Sequence, residues 1–418
     1  MHKVFIEDVL FNEQSTNILI ENKHIIGIGK ELLMPMNAYK IEGHHKAVFP
    51  TFANTHTHAA MTIFRGCGDD NPLDVWLNKY IFPREKELTA EHVYWGTRLA
   101  CLEMIKSGTA CINDMYFYTP EVIRAVKDAG IRGTIGYSVA DNFDSKLAEV
   151  AKRTIESLEP LMQDDADGRL HYSVAPHSIY AVSSDMLQWL ANYAQKHQLR
   201  YHIHMSETTR EVNNCLKEHG CRPYEYMERL GILEQMQNRF IGAHSLWLNG
   251  NELELLGKYH VNVVHNPNSN LKLGSGCKFL YSELIEAGVN VCLGTDGCAS
   301  SNNLDMIEAC KVMSLLQKGW RENPTIIPIK EVLEVACANG YKAMGFDGGK
   351  IEVGALADLM LVDLYNLAFV PNNNTLSNLV YAAHGDCVDT VICNGEILMQ
   401  NRRVKDENEI IEQIRKLV

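Results

Sequence analysis

The sequence predicts an α/β fold: a (β/α)8 TIM-like barrel with a small β-sandwich domain built from both chain ends. Three observations predict it. From about residue 50 to 345, eight short apolar runs alternate with amphipathic stretches, the pattern of parallel strands joined by helical crossovers. Residues 1–49 and 346–418 are β-rich instead, with Gly turns. Single His and Asp residues recur at the ends of the central runs, where a barrel of this kind gathers its chemistry.

Residues 1–49 contain VFIEDV, NILIENKHIIGIGK and AVFP, Val- and Ile-rich runs separated by polar turns. So few strands cannot bury both faces. The far end supplies the partner, in IEVGALADLMLVDL (351–364) and DTVICNGEILMQNRRV (389–404). The tail DENEIIEQIRKLV reads as a closing amphipathic helix. The barrel, residues 50–345, takes its first strand from about 48–55. CINDMY (111–116), GTIGYSV (133–139), LHYSVAP (170–176), RYHIHMS (200–206), FIGAHS (240–245), VNVVHNP (261–267) and VNVCLGTD (289–296) follow. Helical stretches such as EHVYWGTRLACLEMIKSG lie between them.

With 418 residues, 46% hydrophobic and 22% charged, the chain has ample length for a large core. A net charge of -13 and the lack of any Lys/Arg run exclude a phosphate-backbone binder. The N-terminus MHKVFIEDVLFNEQ carries charges through its apolar positions, and no stretch suffices to span a bilayer. Twelve cysteines are scattered without a CxxC pair, which reads as free thiols in a reducing cytoplasm. The partner expected is a small-molecule substrate, not a nucleic acid or a membrane.

The chemistry begins at TFANTHTH, residues 51–58. In a strand, residues i and i+2 share a face, so His56 and His58 aim at one point. HxH alone is a weak signal. Further strand ends strengthen it by supplying His177, His204, His244, His265 and Asp296. His56, His58, His204 and Asp296 make a three-nitrogen, one-oxygen set suited to one divalent metal ion. Zn²⁺ is the first expectation, with Fe²⁺ or Mn²⁺ as alternatives. Such a metal brings a water's pKa from 15.7 to about 7, and Asp296 can orient that water. Glu207, three residues beyond His204 in HMSE, is placed to carry a proton from water to substrate, worth ~10²–10⁴ in rate. The bland reading makes it a surface residue at the helix start ETTREV. His244 is the second candidate for proton handling.

HTHAAMTIFRG, PHSIY, HIHMSET, AHSLWL, HNPNSNLKLGSG and GTDGCASSNNLDM, in this order, closely resemble the amidohydrolase superfamily. The branch resembled is that of 5-methylthioadenosine/S-adenosylhomocysteine deaminases, alongside guanine deaminases and triazine hydrolases. The resemblance covers nearly the whole chain. It implies a mononuclear metal deaminase, often oligomeric, so a homo-oligomer is expected. It also implies metal ligation by His56, His58, His204 and Asp296, proton shuttling by Glu207, and a strand-six histidine at His244. Substrate contacts carry over to His177 in APHSIY and Glu85 in FPREKEL. No Lys ends LHYSVAPH, which favours one metal over the family's lysine-bridged pairs.

Two arginines of the adenosyl-thioether deaminases fall at Tyr137 and Lys146 here, so the 5' end of the substrate looks altered while the purine end looks retained. The long connection after strand one, about 59–90, reads as a lid. In it Trp76, Tyr80 and Phe82 suit stacking on a flat ring, against the commoner fate of helix-face packing. Trp76 is favoured because the same segment delivers Glu85. The function expected is hydrolytic deamination of a 6-aminopurine nucleoside. The alternatives are the same chemistry on guanine, a pterin or an s-triazine, and a non-catalytic scaffold that has kept the fold.

Overall fold

A computed structural model describes residues 2–163, 165 and 167–418. The chain opens with β1 (Lys3–Phe11), β2 (Gln14–Glu21), β3 (His24–Ile28), β4 (Tyr39–Glu42) and β5 (Lys46–Pro50). Thr16, Ile18 and Ile20 of β2 are buried at every second position, the period-2 signature of a strand with one covered face. These strands do not close on themselves. β14 (Leu359–Asp363), β15 (Val388–Cys393), β16 (Glu396–Gln400) and β17 (Arg403–Val404) return to them. β14 pairs antiparallel with β5, giving a nine-stranded sheet from both chain ends, in the order β17-β16-β15-β14-β5-β1-β2-β3 with β4 on β1. Val4, Ile6, Ile18, Val48, Leu359, Leu361 and Ile392 form one apolar cluster within it.

Between these ends run β6 (Phe52–Thr57), β7 (Thr109–Tyr116), β8 (Arg132–Val139), β9 (Leu170–Pro176), β10 (Arg200–Met205), β11 (Phe240–His244), β12 (Asn262–His265) and β13 (Asn290–Leu293). All seven ladders among them are parallel. Every residue of β6 and β7 is buried, as expected where helices cover one face and the barrel interior the other. The barrel is nearly closed. The first and last strands meet through the Asp296 amide donating to the His56 carbonyl at 3.0 Å and through two hydrogen bonds between Asn54 and Thr295, at 2.7 and 3.0 Å. Gly294 permits this approach, since a Cβ there would lie 2.4 Å from Asn266 Oδ1 and 2.9 Å from the His56 carbonyl oxygen.

One strand boundary differs from the sequence reading. Residues 46–50, read partly into the first barrel strand, belong to the chain-end sheet, and the chain crosses to the barrel at Thr51. Pro50 has no N–H to continue a ladder, and Val48 is drawn into the chain-end cluster. The N-terminal mouth of the barrel is plugged by helix Ala338–Met344, where Ala53, Cys111, Tyr341, Met344 and Phe346 pack together. This leaves the C-terminal rim as the accessible end. The closing helix Glu407–Leu417 docks on helix Ala90–Lys106 through a Lys106–Glu407 ion pair of 2.6 Å. Among the described residues, no helix is long and apolar enough to cross a membrane.

Candidate active site

The period-2 argument holds at β6. His56 ends on the barrel interior and His58 follows two residues on, with ring centroids 5.0 Å apart. β10 brings His204 to the same point, 4.9 Å from His56 and 5.3 Å from His58 between ring centres. Asp296 arrives from the turn after β13. Its Oδ1 lies 3.4 Å from His56 Nε2 and 3.2 Å from His58 Nε2, and His204 Nε2 lies 3.3 Å from His58 Nε2. Two overlapping trios, His56 with His58 and His204, and His56 with His244 and Asp296, thus each bring ligand atoms within 4.8 Å of one another.

Hydrogen bonds on the far side of each ring fix which nitrogen faces inward. His58 Nδ1 lies 2.7 Å from the Met115 carbonyl and His204 Nδ1 lies 2.6 Å from the His177 carbonyl. A carbonyl only accepts, so each Nδ1 carries the proton and each Nε2 presents a lone pair. His56 Nδ1 pairs with His202 Nε2 at 2.9 Å. His56 Nε2 is buried without a hydrogen-bond partner among the described residues. A buried, orphaned acceptor is costly, and a cation at the convergence point satisfies it. The residues therefore fit a metal ion, on geometry and on donor type.

Charge points the same way. Burial works against ionised Asp296, but the imidazoles of His56 and His58 beside it hold its carboxyl well below the usual range. Burial also opposes a charge on His58, yet Asp296 lifts it to about 9. The site therefore demands a positive charge, supplied by a proton or by a cation that displaces it. Asp296 is tightly held: Ser269 and Ser300 hydroxyls both donate to Oδ2 at 2.7 Å, and the Gly297 amide to Oδ1 at 2.9 Å. Asp296, Ser206, His244 and Ser245 all adopt left-handed φ, at +61°, +49°, +71° and +51°. Such conformations cost non-glycine residues of order 1–2 kcal/mol each. They cluster where strand ends turn to aim side chains over the rim.

Glu207 is buried beside this point. Ser275 Oγ donates to its Oε1 at 3.0 Å, and its Oε2 lies 4.0 Å from His244 Nε2. The amide groups of Asn270 and Asn266, as oriented, donate to His244 Nδ1 at 2.9 and 3.4 Å. That leaves the ring proton on Nε2, facing Glu207. The structure thus brings the two proposed proton carriers together.

Glu85 ends a short helix, Phe82–Glu85, and accepts a hydrogen bond from Tyr116 at 3.0 Å. Tyr116 in turn lies 6.3 Å from His58 between ring centres. Burial pushes the Glu85 carboxyl up, with the Tyr116 bond opposing. His177 sits with its ring 4.7 Å from that of His204, and burial holds it down at about 4, hence neutral. Trp76 begins a wide helical turn, Trp76–Ile81. It is 5% exposed within the main core, and its indole N–H donates to the Cys67 carbonyl at 3.1 Å. The segment read as a lid is therefore a string of short helices. Tyr80 packs against Gly68, and Phe82 is partly exposed.

Three positions singled out in the sequence lie outside this group: His265, and Tyr137 and Lys146, which stand where the resembled deaminases carry arginines. Tyr137 lies on the outer face of β8 with Ile135, Ile155 and Leu158, its hydroxyl bonded to Thr154 on the covering helix. Lys146 is exposed in the first turn of helix Ser145–Ser157. His265 stacks outward on Phe279, with ring centres 4.1 Å apart. The residues that sequence reasoning missed support the ligands: His202, Ser269, Asn270, Ser275, Ser300, and Asp114, whose Oδ1 accepts from the Ala59 amide at 2.6 Å. HIH and HNPNSN contained the signal for several of them.

Residues 47–398 match the model of the Amidohydrolase family. This chain belongs to that family. The 5'-deoxyadenosine deaminase of Methanoregula boonei is 44% identical over 373 residues, covering 89% of this chain and 84% of its own. The 5-methylthioadenosine/S-adenosylhomocysteine deaminase 1 of Archaeoglobus fulgidus is 42% identical over 401 residues, 96% of this chain and 93% of its own. A zinc-bound crystal structure of an adenosine deaminase from Xanthomonas campestris superposes with a TM-score of 0.91 at 31% identity, over 99% of this chain and 97% of that one. Amidohydrolases of this family are metal-dependent, and the His/Asp group here fits a single ion.

Proposed function

We propose that this amidohydrolase is a hydrolytic deaminase that converts a 6-aminopurine nucleoside to its inosine counterpart and ammonia. The observation that carries the reading is the approach of His56, His58 and His204 nitrogens and Asp296 Oδ1, at 3.2–3.4 Å in the contacting pairs, next to a buried Glu207–His244 pair. Relatives that deaminate adenine nucleosides, at 42–44% identity over most of the chain, support the choice of ring. His56, His58, His204 and Asp296 would hold one divalent ion, and zinc in the Xanthomonas enzyme favours Zn²⁺. When bound, that ion supplies the acidity that makes water nucleophilic at neutral pH.

The remaining work falls to side chains. Water adds at C6, and ring N1 takes a proton. The bond from C6 to the amino group then breaks, and ammonia leaves with a further proton. Glu207 Oε2 is free of the Ser275 bond, which uses Oε1, so it serves as the oxygen that takes up and delivers these protons. His244 Nε2–H donates to the oxygen being added, where negative charge grows. Asp296 Oδ1 orients the attacking water. Neutral His177 and the half-buried Glu85 contact the nucleoside through hydrogen bonds.

Ammonia release tests this reading, measured with adenosine, 5'-deoxyadenosine, 5'-methylthioadenosine and S-adenosylhomocysteine beside guanine, a pterin and an s-triazine. The proposal expects turnover confined to the adenine nucleosides. Release from only the other rings would replace the substrate, and release from none would remove the activity.

A further inference from the structure

Glu211 is buried, 5% exposed, and takes no part in the steps above. It stands in the first turn of helix Thr209–His219. A carboxylate there ordinarily reaches back to the amide of the capping residue, in this helix Thr208. Glu211 does not. Its Oε1 accepts from the Ser206 amide and its Oε2 from the Glu207 amide, both at 2.8 Å. The Thr208 hydroxyl meanwhile caps the helix by accepting from the Glu211 amide at 3.1 Å. Helix capping is therefore already satisfied, and the carboxylate is spent on the turn before it.

That turn is under strain and shared. Ser206 is left-handed, so consecutive amides of Ser206 and Glu207 point into one concavity, a shape that favours an anion. The Ser206 carbonyl accepts from the Leu246 and Trp247 amides at 3.1 and 3.0 Å, and the Met205 carbonyl from the Ser245 amide at 2.8 Å. Those donors follow His244, itself left-handed. The two strand ends that carry Glu207 and His244 are thus locked to one another, with Glu211 clamping one side.

We propose that Glu211 is the positioning residue for Glu207, its two carboxylate oxygens holding the Ser206–Glu207 backbone so that the Glu207 carboxylate stays within reach of His244 and the reacting ring. The inference rests on the deaminase reading for its kinetic test, although the clamp itself does not depend on which ring is used. In Glu211→Gln, one acceptor becomes an NH₂ group facing an amide N–H, and the clamp opens. A misplacement of about 1 Å at the reacting centre costs ~10²-fold in rate.

The test uses full-length, metal-loaded protein and whichever ring the wild type deaminates. Glu211→Gln is expected to keep wild-type metal content and a KM within about threefold, and to lose about 10²-fold in kcat. Glu211→Asp, which keeps two acceptors, is expected to recover part of the loss and covers the case in which the Gln variant does not fold. Hydrogen exchange at the Ser206 and Glu207 amides gives a reading independent of activity, and it should quicken in Glu211→Gln while helix Thr209–His219 stays protected. Unchanged kcat, a loss matching only the fall in folded or metal-bound protein, or unchanged exchange at both amides would overturn the proposal. A wild type inactive on every ring would instead sink the deaminase reading, leaving exchange to judge the clamp.

Discussion

His56 Nδ1 and His202 Nε2 lie 2.9 Å apart in the barrel interior, both rings fully buried. If His56 Nε2 is the nitrogen that meets the cation, its Nδ1 carries the proton and His202 Nε2 accepts it. His202 is thereby fixed as the Nδ1–H tautomer, and that nitrogen has no partner among the described residues. His202→Ala leaves the four ligands in place but frees the His56 ring. The expected result is a 10–100-fold weaker metal affinity, read by competition with a chelator of known affinity. Affinity equal to wild type would show that His202 merely fills space.

Glu207→Gln keeps the size of the side chain and its bond from Ser275 but removes its ability to take up a proton. Metal content is expected to stay at the wild-type level while kcat falls by at least ~10². Retained turnover would exclude Glu207 from proton transfer.

Glu85 and Tyr116 act as a hydrogen-bonded pair, so the two variants should differ in size and not in kind. Glu85→Ala removes a half-buried, charge-capable contact to the nucleoside, expected to raise KM about 10–100-fold, as a lost hydrogen bond of 1.5–3 kcal/mol does. Tyr116→Phe should raise it only a few-fold, since the carboxylate remains. Equal KM in wild type and Glu85→Ala would move Glu85 out of the binding site.

Acid sensitivity follows from the buried histidines. Burial depresses His56 and His265 to about 3 and His177 to about 4, and holds His202 and His204 well below their ordinary value. Between those values and about 6.5, the unfolded chain binds protons that the folded chain refuses. Stability is therefore complete above that range and is lost as pH falls through it. His265 isolates the effect best, because it stacks on Phe279 and belongs to neither group of candidate ligands, with both ring nitrogens unpartnered among the described residues. His265→Phe should flatten the dependence of unfolding free energy on pH by about 1.4 kcal/mol per unit between roughly pH 4.5 and 6. Superimposable slopes in urea unfolding would contradict the assignment.

The sequence made the barrel legible because parallel strands buried on both faces leave nearly continuous apolar runs, and all eight central runs form strands. The residues expected to hold a metal were singled out by strand parity and position at strand ends, and the structure brings their side chains together. Parity alone did not reveal which face each strand turns inward. His265 looks equivalent to His244 in sequence, yet its ring points out to Phe279. Tyr137 likewise points toward helix Ser145–Ser157 rather than to the ligand end. His202 was overlooked because HIH was read only for its outer member, although the i, i+2 spacing places both rings on one face. The clamp by Glu211 was beyond reach, since it depends on a left-handed serine that no local motif announces.

Activity and metal loading, followed on one sample, test the central claim most directly. Chelator-stripped protein is titrated with Zn²⁺ while ammonia release from 5'-deoxyadenosine is recorded. The account predicts activity that rises in proportion to added ion and levels off at one ion per chain, with no such rise when Asp296 is replaced by Ala. A break at two ions per chain, or full activity in the stripped protein, would contradict it.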